Sequence, residues 1–267
     1  MKKVFIYTLF VLSLYSCETV LENVPVPDIP QKAVVFGSIE VESSYHTLRL
    51  TKSKPILNNS TSSGFDAITD AQVTVTGGAQ VYTFTYSPAI ELYEYRGMID
   101  LSSGEAQLAV NTISLGTLTS RVSVPAELGT YSFVVDSLVR EYETEYVVQF
   151  TMPASGNTEY YRLDGYSTYA TDTFSSYTTK EYHTNETELN KELKVKSTFY
   201  QWNDKDNSTF DLYIRLSRIS KEYYKYGKAL ENYEPNNPFA EPIQLPNNVE
   251  GGLGVFGISR SKIVQIN

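Results

Sequence analysis

This chain of 267 residues is poor in the residue types that build disulfides, metal centres and nucleophilic sites. It has one cysteine and two histidines. A lone thiol cannot close an internal bridge. His46 and His183 fall in separate segments, so neither a zinc centre nor a histidine-based triad has enough raw material. Cofactors and metals are therefore expected to be absent. Positive charge is also scarce, with 22 Lys and Arg against 31 Asp and Glu, a formal net charge of −9 and a sequence pI near 4.9. That balance argues against nucleic acid and against electrostatic docking on anionic lipid. No apolar run approaches the roughly 20 residues of a membrane-spanning helix. Nor do helical and strand patterns alternate, which argues against a parallel doubly wound sheet.

The N-terminus does carry a short signal. Lys2 and Lys3 precede an apolar stretch from Val4 to Leu14, the layout of a secretory leader. It ends in Leu14-Tyr15-Ser16-Cys17, a hydrophobic residue, a small residue and then a thiol, as in a bacterial lipobox. Residues 1–16 read as the signal peptide and Cys17 as the lipidated residue. Each buried acyl methylene contributes about 0.8 kcal/mol, so several chains hold a protein firmly. Residues 17–32 contain Pro25, Pro27 and Pro30 and read as a tether. The protein is expected to be held to a membrane only by its lipid.

The chain has 22 tyrosines and 12 phenylalanines, and from Ala33 onward its composition is β-like, in short alternating runs broken by Gly, Asn and Pro. "VVFGSIEV", "HTLRLTK", "AQVTVTGGAQVYTFTY", "YVVQFTM", "YYRLDGYSTY" and "STFDLYIRLSRI" read as strands, and Gly77-Gly78 as a type I′ hairpin turn. One amphipathic helix is predicted near 219–233, with Ser220 as its N-cap and Gly227 weakening it. The fold class is mainly β: an immunoglobulin-like sandwich over 33–125, then a second antiparallel β domain over 126–267 that carries the helix.

Several motifs invite a chemical reading. Gly252-x-Gly254-x-x-Gly257 matches the dinucleotide fingerprint, but the strand before it, the helix after it and the distal acidic residue are missing. A loop and a closing strand suit it better. "NDKDNS" (203–208) lacks the glycine and the bidentate glutamate of a calcium loop and reads as a polar turn. Glu141, Glu143 and Glu145 form a solvated stripe. Val195 and Phe199 fall on one strand face, with Tyr200 and Trp202 on the other; Tyr213 lies outside the core face of "FDLYIRL". If these two strands pair, Tyr200, Trp202 and Tyr213 make an outward platform for a ligand or partner. Asp136-Ser137-Leu138 fits the short O-glycosylation acceptor pattern of exported Bacteroidetes proteins, at Ser137.

The C-terminal third carries a resemblance. Ser220, Tyr223 and Tyr224, then Pro238 and Phe239, then Pro246, Asn248, Gly251, Gly252, Gly254, Phe256 and Gly257 match the tail of a Bacteroidetes lipoprotein family catalogued as domain of unknown function 4249. "YHTLRLTKSKPI", "ITDAQVTVT" and "GNTEYYRLDGYS" are similar to family segments as well, while "EAQLAVNTISLGTLTSRVSVP" departs most. The resemblance implies an outer-membrane lipoprotein, commonly encoded beside a TonB-dependent receptor, without enzymatic activity or catalytic residues. Two roles follow from it. One is an accessory protein that helps such a transporter capture or retain its substrate. The other is a free-standing surface module for a glycan or peptide.

Overall fold

Alternation of apolar and polar residues, with the apolar set on one face, produces the first seven strands: β1 (Ala33–Glu40), β2 (Tyr45–Lys52), β3 (Gln72–Gly77), β4 (Gln80–Ser87), β5 (Leu92–Arg96), β6 (Glu105–Thr112) and β7 (Gly116–Ser123). The structure is a computed structural model that describes residues 30–54, 65–101, 104–169, 172–177, 180–202, 210–233 and 243–266. For Thr168, Tyr169, residues 172–177, Gln201, Trp202 and Phe210 only the backbone is described. Hydrogen bonding places the strands in the order β1-β2-β5-β4-β3-β6-β7. The first four and last three match the two sheets of a constant-type immunoglobulin sandwich. Here the β3–β4 hairpin also joins the two sheets at one edge. Val35, Ile39, Leu48, Leu50, Val73, Val75, Phe84, Tyr93, Leu108, Val110 and Leu118 fill the core between them.

The hairpin turn lies one residue later than the sequence suggested. Gly77 is still in β3, paired with Gln80, and Gly78-Ala79 make the turn. Only Gly78 has positive φ (58°), so the turn has the sign pattern of type II′ rather than I′. Gly77 is small for another reason: a β-carbon there would collide with the Leu101 side chain.

Beyond Pro125 come β8 (Ser132–Val139), β9 (Glu143–Met152), β10 (Tyr160–Tyr169), β11 (Asp172–Tyr177), β12 (Glu181–Thr184), β13 (Leu193–Trp202) and β14 (Phe210–Ile219). β8, β9 and β13 form a separate three-stranded sheet in the order β13-β9-β8. It packs over β10 and β14, and Val148, Phe150, Val195 and Phe199 meet Leu163, Leu212, Ile214 and Leu216 in a second core. β15 (Leu253–Gln265) then runs parallel to β1 and antiparallel to β14, joining the two halves through one sheet. Its Phe256 and Ile258, with Val249, belong to the first core, and its Val264 packs against the second. A cut at residue 125 would therefore separate the first core from three of its own residues. Residues Gln31–Lys54 and Thr61–Asn267 cluster as one compact unit.

Two close approaches explain the glycines near the C-terminus. Gly254 has φ of 119° and lies against the backbone carbonyl of Val35, while a β-carbon at Gly257 would strike Tyr223 of the helix α1 (Lys221–Glu231). The fingerprint-like spacing thus serves the β1–β15 junction and helix packing. Ser220 stands at the N-cap position without a side-chain cap bond. Its amide donates to the Ile258 carbonyl, and its hydroxyl accepts from the Ile258 amide at 3.2 Å, anchoring the helix start to β15. Gly227 leaves room for the Tyr182 ring. That contact is why a residue of poor helix propensity sits mid-helix.

Candidate partner-binding surface

The segment "SFVVDSLV" forms β8, and seven of its eight residues are exposed. Its residues alternate between two sides. Phe133, Val135, Ser137 and Val139 lie opposite Phe150, Val148, Tyr146 and Thr144 of β9; Val134, Asp136 and Leu138 lie opposite Gln149, Val147 and Glu145. Phe150 and Val148 are core residues, so the first set faces the second core. Phe133 reaches the rim of that core, its ring 5.6 Å from Phe150. The second set belongs to the outer face of the sheet.

On that outer face β13 contributes Thr198 opposite Val147, Tyr200 opposite Glu145 and, by register, Trp202 opposite Glu143. One row therefore reads Tyr200, Glu145, Leu138 across three strands. Tyr200 is 51% exposed, Leu138 54% and Val134 59%. The glutamates in the rows are restrained. Arg140, in the β8–β9 turn, contacts Glu145 at 2.6 Å and Glu143 at 3.5 Å. Such exposed pairs add little to stability, but here they neutralise the acidic side chains beside the apolar ones.

The aromatic residues singled out in the sequence do not form one platform. β13 pairs with β9 and β14 pairs with β10 and β15, so the two strands lie in different layers instead of pairing as a hairpin. The physical reason is burial: Val195 and Phe199 need Leu212, Ile214 and Leu216 facing them across a core, not beside them in a sheet. Tyr200 thus points out from the small sheet. Tyr213 is half-buried on the outer face of the large sheet, stacked on Tyr166 with centroids 5.3 Å apart and planes 15° from parallel. The Trp202 side chain, Cys17 and the "NDKDNS" segment lie outside the described residues. Ser137 is exposed in β8.

Charged groups elsewhere have structural partners. Asp164 is fully buried between Arg162 (3.0 Å) and Arg215 (2.5 Å), and Arg215 also meets Glu40 at 3.4 Å. Arg162 in turn donates to the Tyr223 hydroxyl of α1. Arg260 bonds Glu42, the Leu101 carbonyl and the Pro125 carbonyl, fixing the connection between the halves. Arg218 is paired with Glu159. Among the described residues no group of three or more His, Cys, Asp or Glu side chains could hold a metal, and no helix is long and apolar enough to cross a membrane.

β8 is among the strands missing from the sequence-based expectations, with β5, β11 and β12. The available signal was the apolar run Phe133-Val134-Val135 with Leu138-Val139, bounded by Gly129 and Arg140.

Comparison with known families resolves the relationship. The family model described as Domain of unknown function (DUF4249) matches residues 22–263. The chain belongs to this family. No curated protein matches it significantly. Solved structures with partial similarity include a DUF3823 family protein from Parabacteroides merdae, 7% identical, with a TM-score of 0.19 over 72% of this chain and 92% of that one. A DUF3823 family protein from Bacteroides ovatus is 10% identical, with a TM-score of 0.18 over 72% and 92%. Trypsin-activated alpha-2-macroglobulin from Escherichia coli is 9% identical, with a TM-score of 0.23 over 71% of this chain but 14% of that one. At these scores no inference follows from the similarity.

Proposed function

We propose that this member of the DUF4249 family is a non-catalytic, lipid-anchored accessory protein of the outer membrane. It binds a TonB-dependent transporter and helps it capture or retain substrate. The observation that carries this reading is the set of exposed apolar side chains Val134, Leu138 and Tyr200 on the outer face of the three-stranded sheet, interleaved there with Asp136, Glu145 and Lys196. Clustered exposed apolar residues mark interaction surfaces, whereas isolated ones are ordinary. The leader, with Cys17 at its end, supports the anchor, and the net charge of −9 directs attention to protein rather than lipid as the partner.

Two measurements test the proposal. Cys17→Ala should abolish acyl labelling and release the chain from the outer-membrane fraction; unchanged labelling and fractionation would refute the anchor. The tagged wild-type chain, solubilised from its native membrane, should co-purify with a TonB-dependent transporter. Recovery of a bound glycan or peptide, with no transporter in any preparation, would instead establish the free-standing binding module.

A further inference from the structure

We propose that the partner joins this protein by strand addition, an extended segment of it pairing along the open edge of β8. This rests on the reading above that a protein partner docks on the three-stranded sheet. β8 ends its sheet, and among the described residues no strand pairs with its far side. Alternate residues of this eight-residue edge strand therefore present unpaired amides and carbonyls. Natural edge strands are usually guarded by lysine, proline, a bulge or shortness. "SFVVDSLV" has no lysine and no proline, and its register with β9 runs without a break from Ser132 to Val139. Its apolar residues also occupy both faces, Phe133, Val135 and Val139 on one and Val134 and Leu138 on the other. A long, regular and apolar edge of this kind is a template for pairing with another strand. Strand addition supplies the missing neighbour: main-chain bonds give affinity and alternate side chains give specificity.

The occupant is a foreign strand rather than a second copy. In an isologous antiparallel pair, facing residues must lie on the same side, so one β8 residue sits on the two-fold axis. Centring on Asp136 sets two carboxylates opposite each other. Centring on Val135 sets Asp136 against Val134 twice over, and centring on Ser137 sets it against Leu138; centring on Val134 puts Asp136 opposite Ser132 but shortens the ladder to residues 132–136. Each copy also brings a formal charge of −9. A foreign strand meets none of these conflicts if it carries a basic residue opposite Asp136 and apolar residues opposite Val134, Val135 and Leu138.

The test uses the full chain in detergent and a synthetic eight-residue peptide with that pattern, lysine facing Asp136. Amide hydrogen exchange of β8 is followed. The peptide should slow exchange at alternate β8 amides, those not bonded to β9. Replacing its lysine with glutamate should weaken binding by about threefold or more, the scale of a cross-strand charge pair. In the Asp136→Lys variant the preference should reverse, a result that a merely structural role for β8 would not give. Unchanged β8 exchange at saturating peptide overturns the proposal. So does sedimentation of the chain alone as a dimer that Val134→Lys dissolves, since the occupant would then be a second copy. Native-membrane capture separates this proposal from the function it rests on. If Asp136→Lys and Val134→Lys retain the transporter at wild-type yield, strand addition is wrong and docking occurs elsewhere. If wild type captures no transporter while the peptide still protects β8, the transporter assignment fails and the strand site stands.

Discussion

Asp164 has no exposed surface and two arginines within hydrogen-bond reach. A buried ion pair is weak evidence of net stabilisation, yet removing one partner strands the others. Asp164→Ala should therefore cost about 3–5 kcal/mol in denaturant unfolding, because Arg162 and Arg215 would both lose the buried carboxylate between them. An Arg215→Ala change at the same cluster should not add its full cost on top, since the two share one network. His46 sets a pH dependence. It is buried, its Nε2 donates to the Gly97 carbonyl at 3.2 Å, and burial holds its pKa below the ordinary 6.5. His183 is lowered too, again chiefly by burial. An unfolded histidine takes up a proton near pH 6.5, and the folded one resists until lower pH. The stability that each contributes is thus complete above that value and is lost as pH falls through the lowered folded value. The thermal midpoint should drop as pH falls below about 6.5, and His46→Gln should flatten part of that slope. An unchanged slope would mean that other groups dominate.

At the scale of elements, alternation and turn residues made most strands legible before any coordinates. "HTLRLTK", "YVVQFTM" and "YYRLDGYSTY" lie within β2, β9 and β10, and the predicted helix is α1. What alternation does not encode is which strands pair. "LKVKSTFYQW" and "FDLYIRL" are adjacent in the chain and look like a hairpin, but each buries one apolar face, and the cheapest burial is face to face. Local pattern fixes a strand's inner face; long-range packing decides its neighbour. Glycines show the same limit. Gly227 reads as a weak point in a helix, where Ala is ordinarily favoured by about 1 kcal/mol. Here Gly227→Ala should instead destabilise by about 1–3 kcal/mol, the usual cost of overpacking, because the new methyl group meets the buried Tyr182 ring. Thermal unfolding checks the sign. Greater stability in the variant would show that Tyr182 yields without cost.

For the molecule as a whole, an immunoglobulin-like strand order and a second sandwich share the long strand β15. That union was not readable, since the sequence offers only a proline-marked seam at Val124-Pro125 and a glycine-rich tail. The candidate surface was half legible. Tyr200 was found by face alternation, whereas Val134 and Leu138 were missed because β8 alternates poorly, being apolar on both faces. The outer face of the three-stranded sheet is the surface proposed to meet the partner. Photo-crosslinking in native membranes tests it most directly, with a benzophenone side chain placed singly at positions 138, 200, 213 and 81. Leu138 and Tyr200 lie on the claimed face; Tyr213 is on the large sheet and the exposed Val81 on the first sandwich. Positions 138 and 200 should crosslink to a TonB-dependent transporter and positions 213 and 81 should not. Crosslinks from 213 or 81 with none from 138 and 200 would contradict the claim.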